Sequence, residues 1–136
     1  DLPETAALPD PPACAKCAQH PLPYHHGERG TEFALPPWSQ QHQIPIMAYS
    51  PLGRAKELLD RIALVKVARR HGATPAQIAL AWVLRQPDVI AIPKASGAEH
   101  VRENAASLEI ELNGTDLAEL EQAFPPPSSK VPLATW

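Results

Sequence analysis

At 136 residues, 44% hydrophobic and 20% charged, the chain has the size and composition of one ordinary soluble domain that can bury a core. Its formal charge of −3 leaves no basic excess for nucleic acid, and no apolar run approaches the ~20 residues that cross a bilayer. Two cysteines supply no disulfide framework and there is no charged-then-apolar leader, so the expected compartment is the cytoplasm. The chain opens Asp1-Leu2-Pro3 without a methionine, and its true start is expected to lie elsewhere.

Residues 1–23 carry Pro3, Pro9, Pro11, Pro12, Pro21 and Pro23, which interrupt any helix or central strand. They read as an irregular lead-in. Between Glu28 and Gln41, Phe33, Leu35 and Trp38 allow a short helix broken at Pro36-Pro37, with a further helical turn from Trp38 to Gln43. The apolar run Ile44-Pro45-Ile46-Met47-Ala48-Tyr49-Ser50 reads as a strand ended by Pro51 and Gly53.

From Ala55 to His71, Leu58, Leu59, Ile62, Val65 and Ala68 recur at helical spacing with charges between them, predicting an amphipathic helix that Gly72 stops. Thr74-Pro75-Ala76-Gln77 is a helix start: an N-cap, a proline in the first turn and a glutamine that completes a capping box. The helix it opens, Pro75 to Arg85, is apolar on most sides and therefore mostly buried. Val89-Ile90-Ala91-Ile92 follows as a short buried strand. A helix from about Gly97 to Ser107 comes next, and Asn113-Gly114-Thr115-Asp116 caps a last helix with Leu117, Leu120 and Phe124 on its buried stripe. Pro125-Pro126-Pro127 ends it. Strands alternating with helices predict parallel βα units, but two clear strands need partners.

The stretch from Ile92 to Asn104 carries the chemistry. The strand breaks at Pro93 and delivers Lys94 at its C-terminal end; Ser96 reads as an N-cap with Glu99 completing a box. A lysine beside a helix start offers a full positive charge, unpaired N–H groups and the positive end of a helix dipole, an arrangement suited to a phosphate. A solvated strand-end lysine is the plain alternative.

Met47-Ala48-Tyr49-Ser50-Pro51-Leu52-Gly53, Thr74-Pro75-Ala76-Gln77 with Leu80-Ala81-Trp82, Ile92-Pro93-Lys94, Glu103-Asn104 and Phe124-Pro125-Pro126-Pro127 occur in that order, and with them residues 24 to about 133 resemble an aldo-keto reductase of the bacterial branch. The resemblance implies an α/β fold, the C-terminal part of a (β/α)8 TIM barrel, incomplete in a chain this short because such barrels need about 250 residues. It implies three segments: the lead-in 1–23, βα units over 24–127 and a tail over 128–136. The implied activity is reduction of aldehydes or ketones to alcohols by hydride transfer from NADPH, with a small carbonyl compound as substrate.

The family's catalytic Asp, Tyr, Lys and His lie in its N-terminal half, and no position here matches them. Tyr24, Lys16 and His25 sit in the wrong segment to take those roles, so no catalytic residue is assigned and the chain alone is expected not to turn over NADPH. The cofactor positions do carry over. Tyr49 matches the ring that stacks on the nicotinamide; Ser50 and Leu52 match the loop along the pyrophosphate; Lys94, Ala95, Ser96 and Gly97 match the contacts to the adenosine 2′-phosphate; Glu103 and Asn104 match the adenine pair. His100 stands where many members have an arginine. A mostly neutral imidazole without the guanidinium fork should hold the 2′-phosphate less firmly. Lys94 still favours NADP(H) over NAD, with Arg102 near enough in sequence to compensate in part.

The resemblance weakens upstream. His20-Pro21 stands where the family shows an Asn-Gln pair, with Gln19 a displaced candidate, and the pyrophosphate loop shrinks to Gly53-Arg54-Ala55-Lys56. Two other readings remain: an inactive truncated remnant that self-associates through its exposed faces, and a metal or redox module built on Cys14-Ala15-Lys16-Cys17 with His20, His25 and His26. Incidental cysteines in a loose segment are preferred to that module, and no metal is expected.

Overall fold

The protein is described by a computed structural model over residues 29, 39–53 and 58–126, with the backbone of residues 20–23. Three strands, β1 (His20–Pro23), β2 (Ile46–Tyr49) and β3 (Val89–Ile92), form a parallel sheet in the order β1-β2-β3. Among the described residues the longer helices are α1 (Ile62–His71), α2 (Pro75–Leu84), α3 (Ala98–Ala106), which runs into a 3-10 turn at Ser107–Glu109, and α4 (Gly114–Ala123). Among the described residues no helix is long and apolar enough to cross a membrane.

The two faces of the sheet differ. Ile46 and Ala48 are buried, and their register partners Val89 and Ala91 lie against the same core. Met47 and Tyr49 alternate with them and pair in register with Ile90 and Ile92, which are 44% and 47% exposed. The helices therefore cover the first face. Their core joins Leu64 and Val67 of α1, Ile78, Ala79, Trp82 and Val83 of α2, and Leu120 and Phe124 at the end of α4.

Local chemistry sets most element ends. Gly72 adopts a left-handed conformation (φ 59°), and its N–H meets the carbonyls of Ala68 and Arg69, ending α1. Thr74 caps α2: its hydroxyl accepts the Gln77 N–H at 3.2 Å while Gln77 Oε1 accepts the Thr74 N–H at 2.9 Å. Asn113 and Asp116 form the corresponding box at α4. Six successive residues of α2, Ile78 to Val83, are buried, as its all-round apolar sequence predicts. The guanidinium groups of Arg29 and Arg85 lie over the Trp82 ring, 5.0 Å and 3.9 Å from its centroid. Arg29 also donates to the Phe124 carbonyl, which fixes residue 29 to the end of α4.

The sequence expectations need four corrections. The irregular lead-in ends early, because His20–Pro23 is a strand despite its two prolines. A parallel ladder draws donors from alternate residues, and His20 and Leu22 keep theirs; the prolines fall on the other edge, where a missing N–H is tolerated. The helix expected from Ala55 is broken at Asp60-Arg61: the Arg61 N–H bonds back to Leu58 O in a tight turn, and extended Arg61 then caps α1. The break resets the helical phase. Leu64, Val67 and Ala68 face the core, and Ile62, expected on the stripe, is 73% exposed. β3 has the expected bounds but is only half-buried, since one of its faces is open. Finally, Gly97 and not Ser96 is the N-cap of α3, with no side-chain cap bond, so the expected Ser96–Glu99 box does not form. Phe33, Leu35, Trp38, Arg54 and Lys56 lie outside the described residues; the turn after Trp38 is closed by Gln43 N–H to Gln40 O and Ile44 N–H to Ser39 O.

Candidate functional site

The residues singled out in the sequence occupy the C-terminal edge of the sheet and the helix that follows it. Tyr49 is the last residue of β2 and the register partner of Ile92, the last of β3. Because the strands are parallel, the loops starting at Ser50 and at Pro93 leave from the same edge. That is where ligands sit in parallel α/β sheets.

The first loop is a tight turn. Ser50 takes a left-handed conformation (φ 50°), Gly53 another (φ 53°), and the Gly53 N–H donates to Ser50 O at 2.7 Å. A left-handed serine costs about 1 kcal/mol, and here it turns the chain immediately after Tyr49. Pro51 is buried, Leu52 packs against the core and the Ser50 side chain is exposed. The turn thus has an apolar root and a polar rim.

The second loop carries Lys94, exposed, then half-buried Ala95, then exposed Ser96 and Gly97. Since no side chain caps α3, its first-turn N–H groups are left without a side-chain acceptor, and the lysine charge lies three residues before Gly97. Both features suit an anion. On the next turn His100 Nδ1 lies 2.8 Å from Glu103 Oε2. This bond, more than the charges of Glu103 and Glu99, raises the His100 pKa above its ordinary value, against weak desolvation. Glu103 also accepts at its backbone carbonyl from Gln77 Nε2, 3.0 Å away, and the Asn104 carbonyl accepts from Ser107 Oγ at 2.6 Å. The capping glutamine of α2 therefore also positions α3.

Tyr49, Ser50 and Leu52 thus share one loop root, and Lys94 to Asn104 form the adjoining loop and helix. Two features escaped the sequence reading. The His100–Glu103 pair carries an i,i+3 signal that was open to notice. The Gln77–Glu103 link spans 26 residues and carries none. Among the described residues no group of three His, Cys, Asp or Glu side chains could hold a metal ion. Cys14, Cys17, His25 and His26, like Tyr24, Lys16 and Gln19, lie outside the described residues. An open groove of about 340 Å³ between α2 and the 3-10 turn, lined by Ala81, Leu84, Arg85 and Leu108 among others, shares no residue with the candidate site.

Comparisons with known proteins point to one group. The family model described as the aldo/keto reductase family matches residues 11–124. The chain is 44% identical over 126 residues to the methylglyoxal reductase YeaE of Escherichia coli (strain K12), an alignment covering 90% of the chain and 44% of that enzyme. It is similar in structure to an aldo/keto reductase from Klebsiella pneumoniae in complex with NADP and acetate, with a TM-score of 0.89 and 42% identity over 100% of the chain and 50% of that protein. A second structure of an aldo-keto reductase from Klebsiella pneumoniae, in complex with NADPH, gives a TM-score of 0.84 and 45% identity over 88% of the chain and 44% of its own length. The chain thus spans about half the length of these relatives, and its sheet and helices are part of a (β/α)8 barrel.

Proposed function

The chain belongs to the aldo/keto reductase family, and from that premise we propose that it supplies the cofactor side of an NADPH-dependent carbonyl reductase. In this reading Tyr49 lies against the nicotinamide, Ser50 and Leu52 follow the pyrophosphate, and Lys94, Ala95, Ser96, Gly97 and His100 receive the adenosine 2′-phosphate, with Glu103 and Asn104 at the adenine. On the same reading the βα units run from β1 to about residue 127, between a lead-in and a tail, in the cytoplasm. The NADPH and NADP in the two Klebsiella pneumoniae structures support the choice of cofactor. The name of the Escherichia coli relative makes methylglyoxal, a small 2-oxoaldehyde, the first carbonyl to test.

The observation that carries the reading is the common edge of Tyr49 and Lys94. One follows from the end of β2 and the other from the end of β3, in a register that pairs Tyr49 with Ile92. When bound, the cofactor would supply a hydride to the carbonyl carbon. The chain's own residues bind and orient it. An aromatic ring at the strand end gives the nicotinamide a flat apolar surface, and the buried Pro51 and core-packed Leu52 anchor the turn that carries Ser50. Lys94 and the uncapped first turn of α3 neutralise the phosphate charge.

Titrating the chain with NADPH, followed by nucleotide fluorescence, tests the proposal. Saturable binding is expected, weakened about tenfold in Lys94→Ala, the order for one charge-assisted hydrogen bond. Absence of saturation, or equal affinity in Lys94→Ala, would overturn it.

A further inference from the structure

We propose that His100 selects NADP over NAD in a protonation-dependent way: Glu103 holds its Nδ1, so only the imidazolium offers a second N–H, at Nε2, to the adenosine 2′-phosphate. The inference rests on the reading of residues 94–104 as the adenosine end of the cofactor site and adds a pH-dependent selectivity to it.

The geometry fixes the tautomer. His100 and Glu103 lie one turn apart on α3, with Nδ1 and Oε2 separated by 2.8 Å. An ionised carboxylate can only accept, so Nδ1 carries the proton whether the ring is neutral or charged. In the neutral ring Nε2 is then a lone-pair acceptor. Set beside a phosphate, which is also an acceptor, it gives no hydrogen bond and no attraction. Protonation turns the same atom into a charged donor. An arginine at this position has no such pair of states. The His100 side chain is 65% exposed, so Nε2 is open to a ligand from solvent.

The surrounding charges move the switch upward from the ordinary histidine value. Glu103 and Glu99, both on α3, raise the His100 pKa above the ordinary 6.5. Helix α2, which meets α3 through Gln77, has no ionisable side chain between Pro75 and Leu84. The 3-10 turn brings Glu109, and Lys94 and Arg102 are the neighbouring cations in sequence; none of the three figures among the causes of the shift. A phosphate monoester loses its second proton near about pH 6. The imidazolium and the phosphate dianion therefore coexist most fully between that value and the raised His100 pKa. Selectivity for NADP should peak in this window and fall on both sides, whereas NAD, without the 2′-phosphate, does not sense either group.

The experiment measures dissociation constants of NADPH and NADH for the 136-residue chain across the histidine range, from about pH 5.5 to 8.5. The NADH-to-NADPH ratio of dissociation constants should peak in mildly acidic solution and fall about tenfold toward the alkaline end, the loss of one charge-assisted hydrogen bond. His100→Gln should still bind NADPH through Lys94 but lose the alkaline fall. His100→Arg should hold the high ratio to alkaline pH, and Glu103→Gln should move the fall to lower pH. By NMR the His100 ring should titrate higher with NADP bound than with NAD bound. NADPH binding with a ratio flat above neutrality, or an alkaline fall that survives in His100→Gln, overturns the inference alone. Failure to bind either dinucleotide at any pH overturns the cofactor-site reading and the inference with it.

Discussion

Arg70 grips the buried carboxylate of Asp116 with two nitrogens, Nε at 3.0 Å and Nη2 at 2.8 Å, both on Oδ1. The other oxygen, Oδ2, lies 2.7 Å from His71 Nε2 and accepts the Asn113 N–H at 3.1 Å. Arg70 also donates through Nη1 to Glu119 at 2.8 Å. One side chain thus caps α4 and takes the last two residues of α1, elements far apart in sequence. Burial pushes the Asp116 carboxyl upward, but hydrogen bonds from His71, Arg70 and Asn113, with the His71 charge, outweigh it and hold the pKa below its ordinary value.

A depressed carboxyl pKa in the folded state stabilises the fold fully above the unfolded value of 3.8, and that contribution drains as pH falls through the folded value. Denaturant unfolding near neutrality should show a loss of about 2 kcal/mol in Asp116→Asn. This is below the usual figure for a buried pair because Arg70 is 41% exposed. Repeated at acid pH, the gap between Asp116→Asn and the parent chain should narrow; a gap that stays constant would show that the carboxylate charge plays no part.

Gln77 has two duties that one substitution separates. Gln77→Glu keeps the acceptor that caps Thr74 but loses the donor to the Glu103 carbonyl. Thermal unfolding should change by less than about 1 kcal/mol, the value of a cap, while NADPH affinity drops several-fold because α3 is no longer fixed. NADPH affinity unchanged in Gln77→Glu, with a stability loss only in Gln77→Ala, would assign the residue to the cap alone.

Gly72 takes a left-handed conformation where α1 ends. A Cβ there would meet nothing within 4 Å, so Gly72→Ala isolates conformational strain from packing. A loss of about 1 kcal/mol in unfolding free energy is expected, and no change in dinucleotide affinity.

We propose, from the resemblance to the family, that no residue of this chain takes the roles of its catalytic Asp, Tyr, Lys and His. We therefore expect the chain to bind NADPH without oxidising it when methylglyoxal is added, as followed by nucleotide absorbance. Oxidation proportional to the concentration of the chain would contradict this.

What could be read in the sequence was what is encoded within a few residues. The Thr74–Gln77 box, the stop at Gly72, the Asn113 cap and the bounds of β3 each follow from short-range signals, and all recur in the fold. The phase of α1 was not legible, because a break at Asp60-Arg61 turns Ile62 outward and brings Leu64 and Val67 to the core beside Ala68. Nor was the partner of Asp116: the capping tetrapeptide was visible, but its bonds to Arg70 and His71 span 46 and 45 residues. The Gly97 cap was missed because Ser96 carries the stronger local signal, and the choice between neighbouring caps depends on how the chain leaves β3. For the candidate site, the order of the motifs was legible, and only the fold brought Gln77 to the Glu103 carbonyl.

The prolines of β1 give the sheet a polarity of growth. With His20 and Leu22 bonded toward β2, the outer rim of β1 holds carbonyls at Pro21 and Pro23 but no hydrogen to offer between them. Any strand laid along that rim can donate to it and receive nothing back, so half of an ordinary ladder is unavailable there. β3 has no such restriction, since Val89, Ile90, Ala91 and Ile92 all keep their donors. In a (β/α)8 barrel both margins take a further strand: the neighbour of β3 can pair with full hydrogen bonding, whereas the neighbour of β1 can only donate to it.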